Sequence, residues 1–512
     1  MYTNNYLASV LRQPSIGLED KVFIRAVDWD LERSYRDFFE NSERIAAFLH
    51  ELGVRPGDRV LNFTEKTVTS LELYMGTVLA GAVYVSVNPA YGQEDLAYFL
   101  DNAEPSVLVC SSAMHATIQD LPAVRALSRC LTLDVGETGT LVDGMARFEP
   151  GFQAQARAAQ DVAAILYTSG TTGRPKGAVH THRSLASNAT TLVDYWHFTD
   201  KDVLIHALPL FHLHGLFTAT NVMLACAGSM LYLPGFEVRR VLGLLPQATV
   251  LMGVPPFYMA LLKQEGLAAA AASMRLFISG SAPMLPQTHA QWQQCTGHTV
   301  LERYGMTEGS MIASNPYDGQ RRPNSVGLAL PGVSIRIMQE DGCTAAETGQ
   351  VGFVELRGEN LFSGYWKLPE KTAEDMRADG YFITGDYGYF DGDGYLHIVG
   401  RVKDAVKTAA KVVFPKVIEE CIDRIDGVAE SAVIAVPDGS GLQVPVAIVV
   451  SKPGAVVSVQ EIQERLDTEL DKTDMPARIV LVDSLPRNIM GKVQKVVLRE
   501  QYRSLVTELQ EV

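Results

Sequence analysis

Short apolar runs alternate with amphipathic stretches along the first three hundred residues of the chain. An apolar run at 60–63 is followed by a helical pattern at 71–79 and a second apolar run at 83–87. The same rhythm returns over residues 203–279. This alternation is typical of βαβ units that feed a mainly parallel sheet. The pattern therefore predicts an α/β fold with two stacked α/β subdomains.

The pattern changes twice in the second half of the chain. Residues 326–399 are rich in glycine and contain short strand-like runs, which predicts an antiparallel or β-barrel-like segment. Beyond Arg401 come two longer strand-like runs and a helix that begins after Ser458, with Glu461 three residues later as a capping box. We expect this last part to form a separate α+β domain of about a hundred residues, a common domain size.

Composition narrows the classes of protein that the chain can represent. Of the 512 residues, 47% are hydrophobic and 20% are charged, as in globular proteins. The formal net charge of −15 disfavours nucleic acid and anionic membranes as partners. We find no apolar run of about 20 residues and no signal-peptide pattern at the start, so we expect a cytoplasmic protein. The six cysteines form no CxxC pair, which favours buried reduced thiols.

The most informative stretch is the run Tyr-Thr-Ser-Gly-Thr-Thr-Gly-Arg-Pro-Lys-Gly at 167–177, directly after an apolar strand. Small residues let backbone N–H groups wrap a phosphate, hydroxyls add donors, and Lys176 adds a positive charge. The run is not a Walker A loop, because Lys176 is followed by glycine rather than serine or threonine. It predicts a phosphate-binding loop.

This loop resembles the signature of the acyl-adenylate-forming superfamily, which includes acyl-CoA synthetases, luciferases and adenylation domains. Four further segments resemble the family's motifs in the family's order: 303–308, 381–386, 400–404 and 486–492. The resemblance implies an N-terminal adenylate-forming domain over 1–400, a hinge at 401–404 and a small mobile C-terminal lid domain over 405–512. It also implies ATP, Mg²⁺ and coenzyme A as the small molecules bound.

Site residues follow from the resemblance position by position. The catalytic residues would be Lys492, Glu308, Thr168 and Lys176, with Thr168 and Glu308 placing Mg²⁺ and Asp404 acting as the hinge. Lys492 would serve adenylate formation only. The nucleotide-binding residues would be Thr168, Ser169, Gly170, Thr171, Thr172, Gly173, Lys176, Ser281, Ala282, Pro283, Glu302, Arg303, Tyr304, Gly305, Met306, Thr307, Asp386, Ile398, Arg401 and Lys492.

Within the superfamily, residues 205–215, 276–283 and 301–306 are most similar to malonyl-CoA synthetases. Malonate would leave a second carboxylate in the pocket, and burying it without a partner costs several kcal/mol, so a cation is required. Arg303 is the candidate, with His214, Ser279 and Met306 as further substrate-binding candidates. The alternative for Arg303 is an ion pair with Glu302. Arg275 could equally be a plain surface residue.

One segment departs from the family pattern. The family carries glycines after its hinge, where this chain has Ala409 and Ala410, and the usual glutamate at the following helix start is Val417. These changes put the thioester-forming step in doubt. The alternatives are a ligase for another short or dicarboxylic acid such as methylmalonate, delivery to a carrier-protein thiol, or a nucleotide-binding protein impaired in thioester formation.

Overall fold

The computed structural model describes residues 2–125, 127, 129–168, 174–408, 411–440, 442–487, 492–503 and 505. Its first sheet has the strand order β6-β5-β3-β4-β7-β8. The strands are β3 (Arg59–Phe63), β4 (Val83–Ser86), β5 (Val107–Cys110), β6 (Cys130–Thr132), β7 (Val162–Tyr167) and β8 (Gly177–Thr181). Neighbours are parallel except β7 and β8, an antiparallel pair that brackets the predicted phosphate loop.

The second sheet has the order β15-β14-β13-β12-β11-β9-β10-β1-β2. Its strands are β1 (Val22–Ala26), β2 (Leu31–Ser34), β9 (Val203–His206), β10 (Ser229–Tyr232), β11 (Val250–Gly253), β12 (Leu276–Ser279), β13 (Leu301–Met306), β14 (Ser310–Ser314) and β15 (Leu328–Ala329). The strands from β1 to β13 are parallel, and β2, β14 and β15 pair antiparallel at the two edges.

Helices cover both sheets and fill the space between them. The described helices are α1 (Tyr6–Arg12), α2 (Tyr35–Glu51), α3 (Val68–Leu79), α4 (Gln93–Ala103), α5 (Ser112–Ile118), α6 (Pro122–Arg125), α7 (Thr140–Met145), α8 (His182–Tyr195), α9 (Asn221–Cys226), α10 (Val238–Leu244), α11 (Pro255–Leu261), α12 (Leu267–Ala270), α13 (Pro286–Thr296), α14 (Pro369–Asp375), α15 (Pro415–Asp423), α16 (Val459–Glu469) and α17 (Lys495–Gln501). Every residue of α3 is buried, because this helix lies in the main core that joins the two sheets.

Strand alternation explains why the strands read as continuous apolar runs. In β9, Leu204 faces the main core while its neighbour Ile205 packs into a second core with α10 and α11. In β3, Val60 likewise faces the main core, while Leu61 packs into a third core with α4. Both faces of these sheets are buried, as is usual for parallel sheets between helices. The two predicted α/β subdomains are thus confirmed.

The glycine-rich segment forms an antiparallel sheet in the order β16 (Val333–Met338), β17 (Gly352–Gly358), β18 (Phe382–Phe390) and β19 (Leu396–Arg401). The remainder of the chain builds β20 (Val406–Lys407), β21 (Val412–Val413), β22 (Val428–Pro437), β23 (Gln443–Ser451) and β24 (Arg478–Val482). It has its own apolar cores on the two faces of β22 and β23. The capping box at Ser458 begins α16 as predicted.

Two further findings concern the predictions from composition. No helix in the described parts of the chain is long and apolar enough to cross a membrane. The cysteines are free thiols. The expectation that they are all buried is wrong for Cys295 and Cys343, which are exposed because the first lies near the end of α13 and the second in a turn between β16 and β17.

Candidate active site

The predicted motifs meet at the carboxyl ends of the strands in the two α/β sheets. The phosphate loop follows β7, Gly280 follows β12, and the motif around Tyr304 occupies the end of β13. Ligands of open α/β sheets bind outside these strand ends. The fold therefore brings segments that are far apart in sequence to one region.

Lys176 and Glu308 approach each other through a third residue, Tyr365. The Lys176 Nζ lies 4.1 Å from the centre of the Tyr365 ring. The Tyr365 hydroxyl donates a hydrogen bond of 2.9 Å to Glu308 Oε1. Thr168 closes the base of the loop, where its N–H donates to the Lys176 carbonyl at 2.9 Å. Three of the proposed catalytic residues are thus linked at one place.

Some predicted residues lie outside the described part of the chain. In the phosphate loop these are Ser169, Gly170, Thr171, Thr172 and Gly173. Ala409 and Ala410, on which the doubt about thioester formation rested, also lie outside the described residues. That doubt stays a prediction.

Asp386 and Arg401 lie directly opposite each other on β18 and β19. Arg401 Nε is 2.7 Å from Asp386 Oδ1, and the Tyr304 hydroxyl donates to the other carboxylate oxygen. The adjacent Asp386 carboxylate raises the pKa of Arg401. A carboxylate, a cation and a phenol therefore form one hydrogen-bonded group next to the domain junction.

Lys492 reaches this group from the C-terminal domain. Part of its side chain remains exposed, yet desolvation near the domain junction, followed by the Arg401 charge, lowers the pKa of Lys492 to about 8. Asp386 and Asp404 act in the opposite direction. Asp404 also accepts a hydrogen bond from Arg499 on α17. The arrangement brings Lys492 within electrostatic range of the Asp386–Arg401 pair.

Arg303 and His214 are buried near each other and have polar atoms without hydrogen-bond partners in the described chain; the region around these two residues is called the acid pocket. Only 4% of the Arg303 surface is exposed, and its Nε and Nη2 atoms have no hydrogen-bond partner in the described chain. The same holds for both ring nitrogens of His214. Ser279 Oγ also lacks a partner, but Ser279 is paired with Glu302 between β12 and β13 and so points to the face opposite Arg303. Desolvation lowers the pKa of Arg303 to about 9 and, with the Arg303 charge, lowers that of His214 well below its usual value. A buried anion would satisfy these groups.

Two alternatives from the sequence are decided by the geometry. Glu302 and Arg303 are neighbours on one strand, so their side chains point to opposite faces. Glu302 forms an ion pair of 2.8 Å with His289 and does not pair with Arg303. Arg275 pairs with Asp202 at 2.6 Å. The two residues directly precede β12 and β9, so they lie at the amino ends of the strands, opposite the carboxyl ends where the site lies. Arg275 therefore stabilises the fold.

The other predicted nucleotide-binding residues lie in the loop after β12, on or directly after β13, and on β19. Ser281 has a φ of 69° in the loop after β12, where it is exposed like Pro283, while Ala282 is half-buried. Gly305 and Met306 end β13, and Thr307 follows them, all half-buried. The carbonyl of Ile398 accepts a hydrogen bond of 2.7 Å from Lys416 of the C-terminal domain. Glu302 faces α13 through His289 and lies away from the Asp386–Arg401 pair.

The residues proposed to hold Mg²⁺ fit this ion. The Glu308 carboxylate is 7% exposed and forms no ion pair with a lysine or arginine of the described chain. The described residues contain no cluster of three or more His, Cys, Asp or Glu side chains that could hold a metal. Mg²⁺ needs no such cage, because it takes one or two carboxylates together with substrate phosphate oxygens. Glu308 and the Thr168 hydroxyl supply oxygens of the right kind.

Sequence reasoning missed several residues that contact the predicted ones. Tyr365 links Lys176 to Glu308, the Gly280 backbone supports Arg303, and His206 lies beside His214. Only His206 carried a signal, because it lies in the histidine-rich run at 206–214 that includes His214. Tyr365 and Gly280 are single residues whose partners come from distant strands.

Comparison with known proteins gives the same assignment along the whole chain. The sequence model of the family described as AMP-binding enzyme matches residues 18–366, and that of the AMP-binding enzyme C-terminal domain matches residues 417–492. The ATP-bound crystal structure of MatB from Rhodopseudomonas palustris is 47% identical to this chain and has a TM-score of 0.95. The match covers 98% of this chain and 100% of the MatB chain.

Two curated relatives show that sequence similarity to them does not determine which acid is the substrate. The malonate–CoA ligase of Arabidopsis thaliana is 34% identical over 83% of this chain and 75% of its own length. The long-chain-fatty-acid–CoA ligase FadD13 of Mycobacterium tuberculosis is 31% identical over 93% of this chain and 94% of its own length. Because relatives with different acids are almost equally similar, the acid must be argued from the pocket.

Proposed function

The chain belongs to the AMP-binding enzyme family, and we propose that it is a malonate–CoA ligase, which forms malonyl-CoA from malonate, ATP and coenzyme A. The observation that carries the choice of acid is the buried Arg303, whose guanidinium has two unpartnered nitrogens. A fatty acyl chain would leave this cation unpaired at a cost of several kcal/mol. The second carboxylate of malonate would pair with it through two parallel hydrogen bonds.

A second group in the acid pocket supports a short anionic acid. His214 adds a donor beside Arg303, and both of its ring nitrogens lack partners in the described chain. His214 is neutral at neutral pH because burial and the Arg303 charge lower its pKa, so one ring nitrogen can donate a hydrogen bond without adding charge. A chain longer than malonate would have to displace these groups. The similarity to MatB and to the Arabidopsis ligase agrees with this choice.

In the first half-reaction, a carboxylate oxygen of malonate attacks the α-phosphorus of ATP and pyrophosphate leaves. A carboxylate is already a nucleophile, so the enzyme must align the reactants and neutralise charge rather than remove a proton. Lys176 and the phosphate loop would bind the leaving phosphates, and Lys492 would approach the α-phosphate. Asp386 would accept hydrogen bonds from the ribose, and Mg²⁺ held by Glu308 and Thr168 would screen the phosphate charge.

In the second half-reaction, the thiol of coenzyme A attacks the carbonyl carbon of the adenylate and AMP leaves. We propose that the domain over 405–512 rotates about Asp404 to admit the thiol, so that Lys492 withdraws. The Arg499 contact with Asp404 would change in this rotation, because Asp404 is the hinge and Arg499 belongs to the domain that moves.

The test is pyrophosphate release by the purified protein with malonate, methylmalonate, succinate and acetate, each with and without coenzyme A. Malonate should give the highest kcat/KM, and mass spectrometry should detect malonyl-CoA only when coenzyme A is present. Higher kcat/KM with acetate or succinate would contradict the assignment. The cytoplasmic location expected from the sequence stays a prediction.

A further inference from the structure

Lys66 is buried beside the acid pocket in an environment without a carboxylate. It lies between β3 and α3 with 8% of its surface exposed. Its Nζ is 2.8 Å from the His206 carbonyl oxygen, 2.9 Å from His206 Nδ1 and 4.2 Å from the centre of the Tyr232 ring. No carboxylate of the described chain forms an ion pair with it. The Lys66 amino group thus has a carbonyl, a ring nitrogen and an aromatic face around it.

This contact determines which nitrogen of His206 carries the proton. Burial lowers the pKa of Lys66 well below its usual value, yet its amino group can donate to Nδ1 of His206 in either protonation state, which places the ring proton on Nε2. On the other side of the ring, Nε2 is 2.9 Å from the Gly215 carbonyl oxygen, which can only accept. Both contacts require the same tautomer. Burial and the Lys66 charge lower the pKa of His206 well below its usual value, so the ring stays neutral.

The Gly215 carbonyl belongs to an unusual stretch of backbone. Residues His214–Thr220 form a π-helix, a rare element that occurs mostly at functional sites. The Thr220 hydroxyl donates to the same carbonyl at 3.1 Å. A β-carbon at Gly215 would lie 2.1 Å from the Pro209 carbonyl oxygen, so the turn packs directly on the preceding loop. The residue before Gly215 is His214, which lies beside Arg303 in the acid pocket.

We propose that Lys66 is a positioning residue for acid binding: it holds His206 as the Nε2–H tautomer, His206 holds the Gly215 carbonyl, and the π-helical turn thereby presents His214 to the acid. Lys66 itself does not touch the substrate. Only the identity of the acid as malonate rests on the proposed function. The geometry from Lys66 to Gly215 is independent of it.

The first test compares Lys66→Met with Lys21→Met. Methionine fills the space of lysine but donates no hydrogen bond. Lys21 is a matched control, because its Nζ, like that of Lys66, donates to backbone carbonyl oxygen atoms, in this case those of Asp200 and Ala227, and no hydrogen bond joins it to a histidine of the described chain. We expect Lys66→Met to raise the KM for malonate about tenfold while the KM for ATP changes less than about twofold. Lys21→Met should leave both constants unchanged.

The result separates positioning from a general loss of stability. If Lys66 merely stabilises the fold, its replacement lowers the concentration of active enzyme, so kcat falls and both KM values stay the same. Lys66→Arg, which keeps a cationic donor, should recover at least part of the malonate affinity. An unchanged malonate KM in Lys66→Met, or an equal rise for both substrates, would overturn the proposal.

A double-mutant cycle and a spectroscopic measurement test the intermediate step. A glutamine amide can donate to the Gly215 carbonyl without help from Lys66, so Lys66→Met should add little to the malonate KM of His206→Gln. In ¹⁵N histidine NMR, the resonances that disappear in His206→Gln identify His206. They should show a single neutral Nε2–H form in the wild type and a tautomer mixture in Lys66→Met.

Additive KM effects, or an unaltered His206 spectrum in Lys66→Met, would contradict the role of Lys66. Failure of the proposed function gives a different result, since the wild type would then release no pyrophosphate with malonate. The NMR comparison would still decide whether Lys66 sets the His206 tautomer.

Discussion

The guanidinium of Arg303 lies against the backbone of Gly280, so closely that a β-carbon at position 280 would come within 2.4 Å of Arg303 Cζ. Gly280 follows β12, and Arg303 lies on the adjacent parallel strand β13. The absence of a side chain at position 280 therefore determines where the cation lies. This relationship allows Arg303 to be displaced without changing its charge.

Gly280→Ala should raise the KM for malonate about tenfold or more, because the added methyl group pushes the guanidinium away from the acid. The KM for ATP should change less than about twofold. Gly243→Ala is the matched control, since a β-carbon there meets nothing within 4 Å. Steady-state kinetics with each substrate varied in turn gives both constants. A normal malonate KM in Gly280→Ala would show that the position of Arg303 is unimportant for the acid.

Lys492→Ala should slow adenylate formation about 10² to 10³-fold, because its charge is needed while the α-phosphate is attacked. Consumption of supplied malonyl-AMP by coenzyme A should stay within about twofold of the wild type. Stopped-flow measurement of each half-reaction separates the two effects. Lys472→Ala, which removes an exposed lysine of the same domain, serves as the control. Equal loss in both half-reactions would refute domain alternation in this protein.

The pH dependence of adenylation follows from the same lysine. Its pKa is lowered to about 8, so Lys492 is cationic below that pH and neutral above it. Because the cation is the active form, kcat/KM for ATP should fall as the pH rises through about 8, while kcat should fall at higher pH since bound phosphates stabilise the cation. Lys492→Arg should show no fall over this range. The same fall in Lys492→Arg would assign the titration to another group.

Two substitutions separate the effects of the two contacts that Tyr365 makes. Tyr365→Phe keeps the ring that contacts Lys176 but removes the hydrogen bond to Glu308, whereas Tyr365→Leu removes both. A hydrogen bond to a carboxylate contributes about 1.5 to 3 kcal/mol, so Tyr365→Phe should lower kcat about tenfold to a hundredfold. It should also raise the Mg²⁺ concentration needed for half-maximal rate, and Tyr365→Leu should additionally raise the KM for ATP. Wild-type kinetics of Tyr365→Phe would refute a role for the hydroxyl, and identical kinetics of the two variants would refute a separate role for the ring.

The sequence predicts the fold well because the information is local. Each parallel strand is buried on both faces, so the runs that precede His206 and Ser279 are apolar throughout and are easy to recognise. The phosphate loop and the motif around Tyr304 are also continuous in sequence. Their predicted positions at strand ends required no knowledge of tertiary contacts.

The remaining parts of the site depend on contacts between distant residues. Lys66 and His206 are 140 positions apart, and nothing in either local sequence indicates that the two meet. Gly280 has the composition of an ordinary loop glycine, and its importance arises only from the Arg303 side chain on the next strand. The expected burial of Cys295 and Cys343 was wrong for a related reason, because position on a helix or turn face decides burial.

The most direct measurement of the central claim, that Arg303 binds the second carboxylate of the acid, uses malonate and malonamate in parallel. The two acids have the same length, but malonamate carries a neutral amide in place of the second charge. The wild type should prefer malonate in kcat/KM by about a hundredfold or more, and Arg303→Leu should lose most of that preference, with Arg275→Leu as a control that leaves it intact. If Arg303→Leu retains the wild-type preference for malonate, Arg303 does not bind the second carboxylate and the assignment of malonate loses its physical basis.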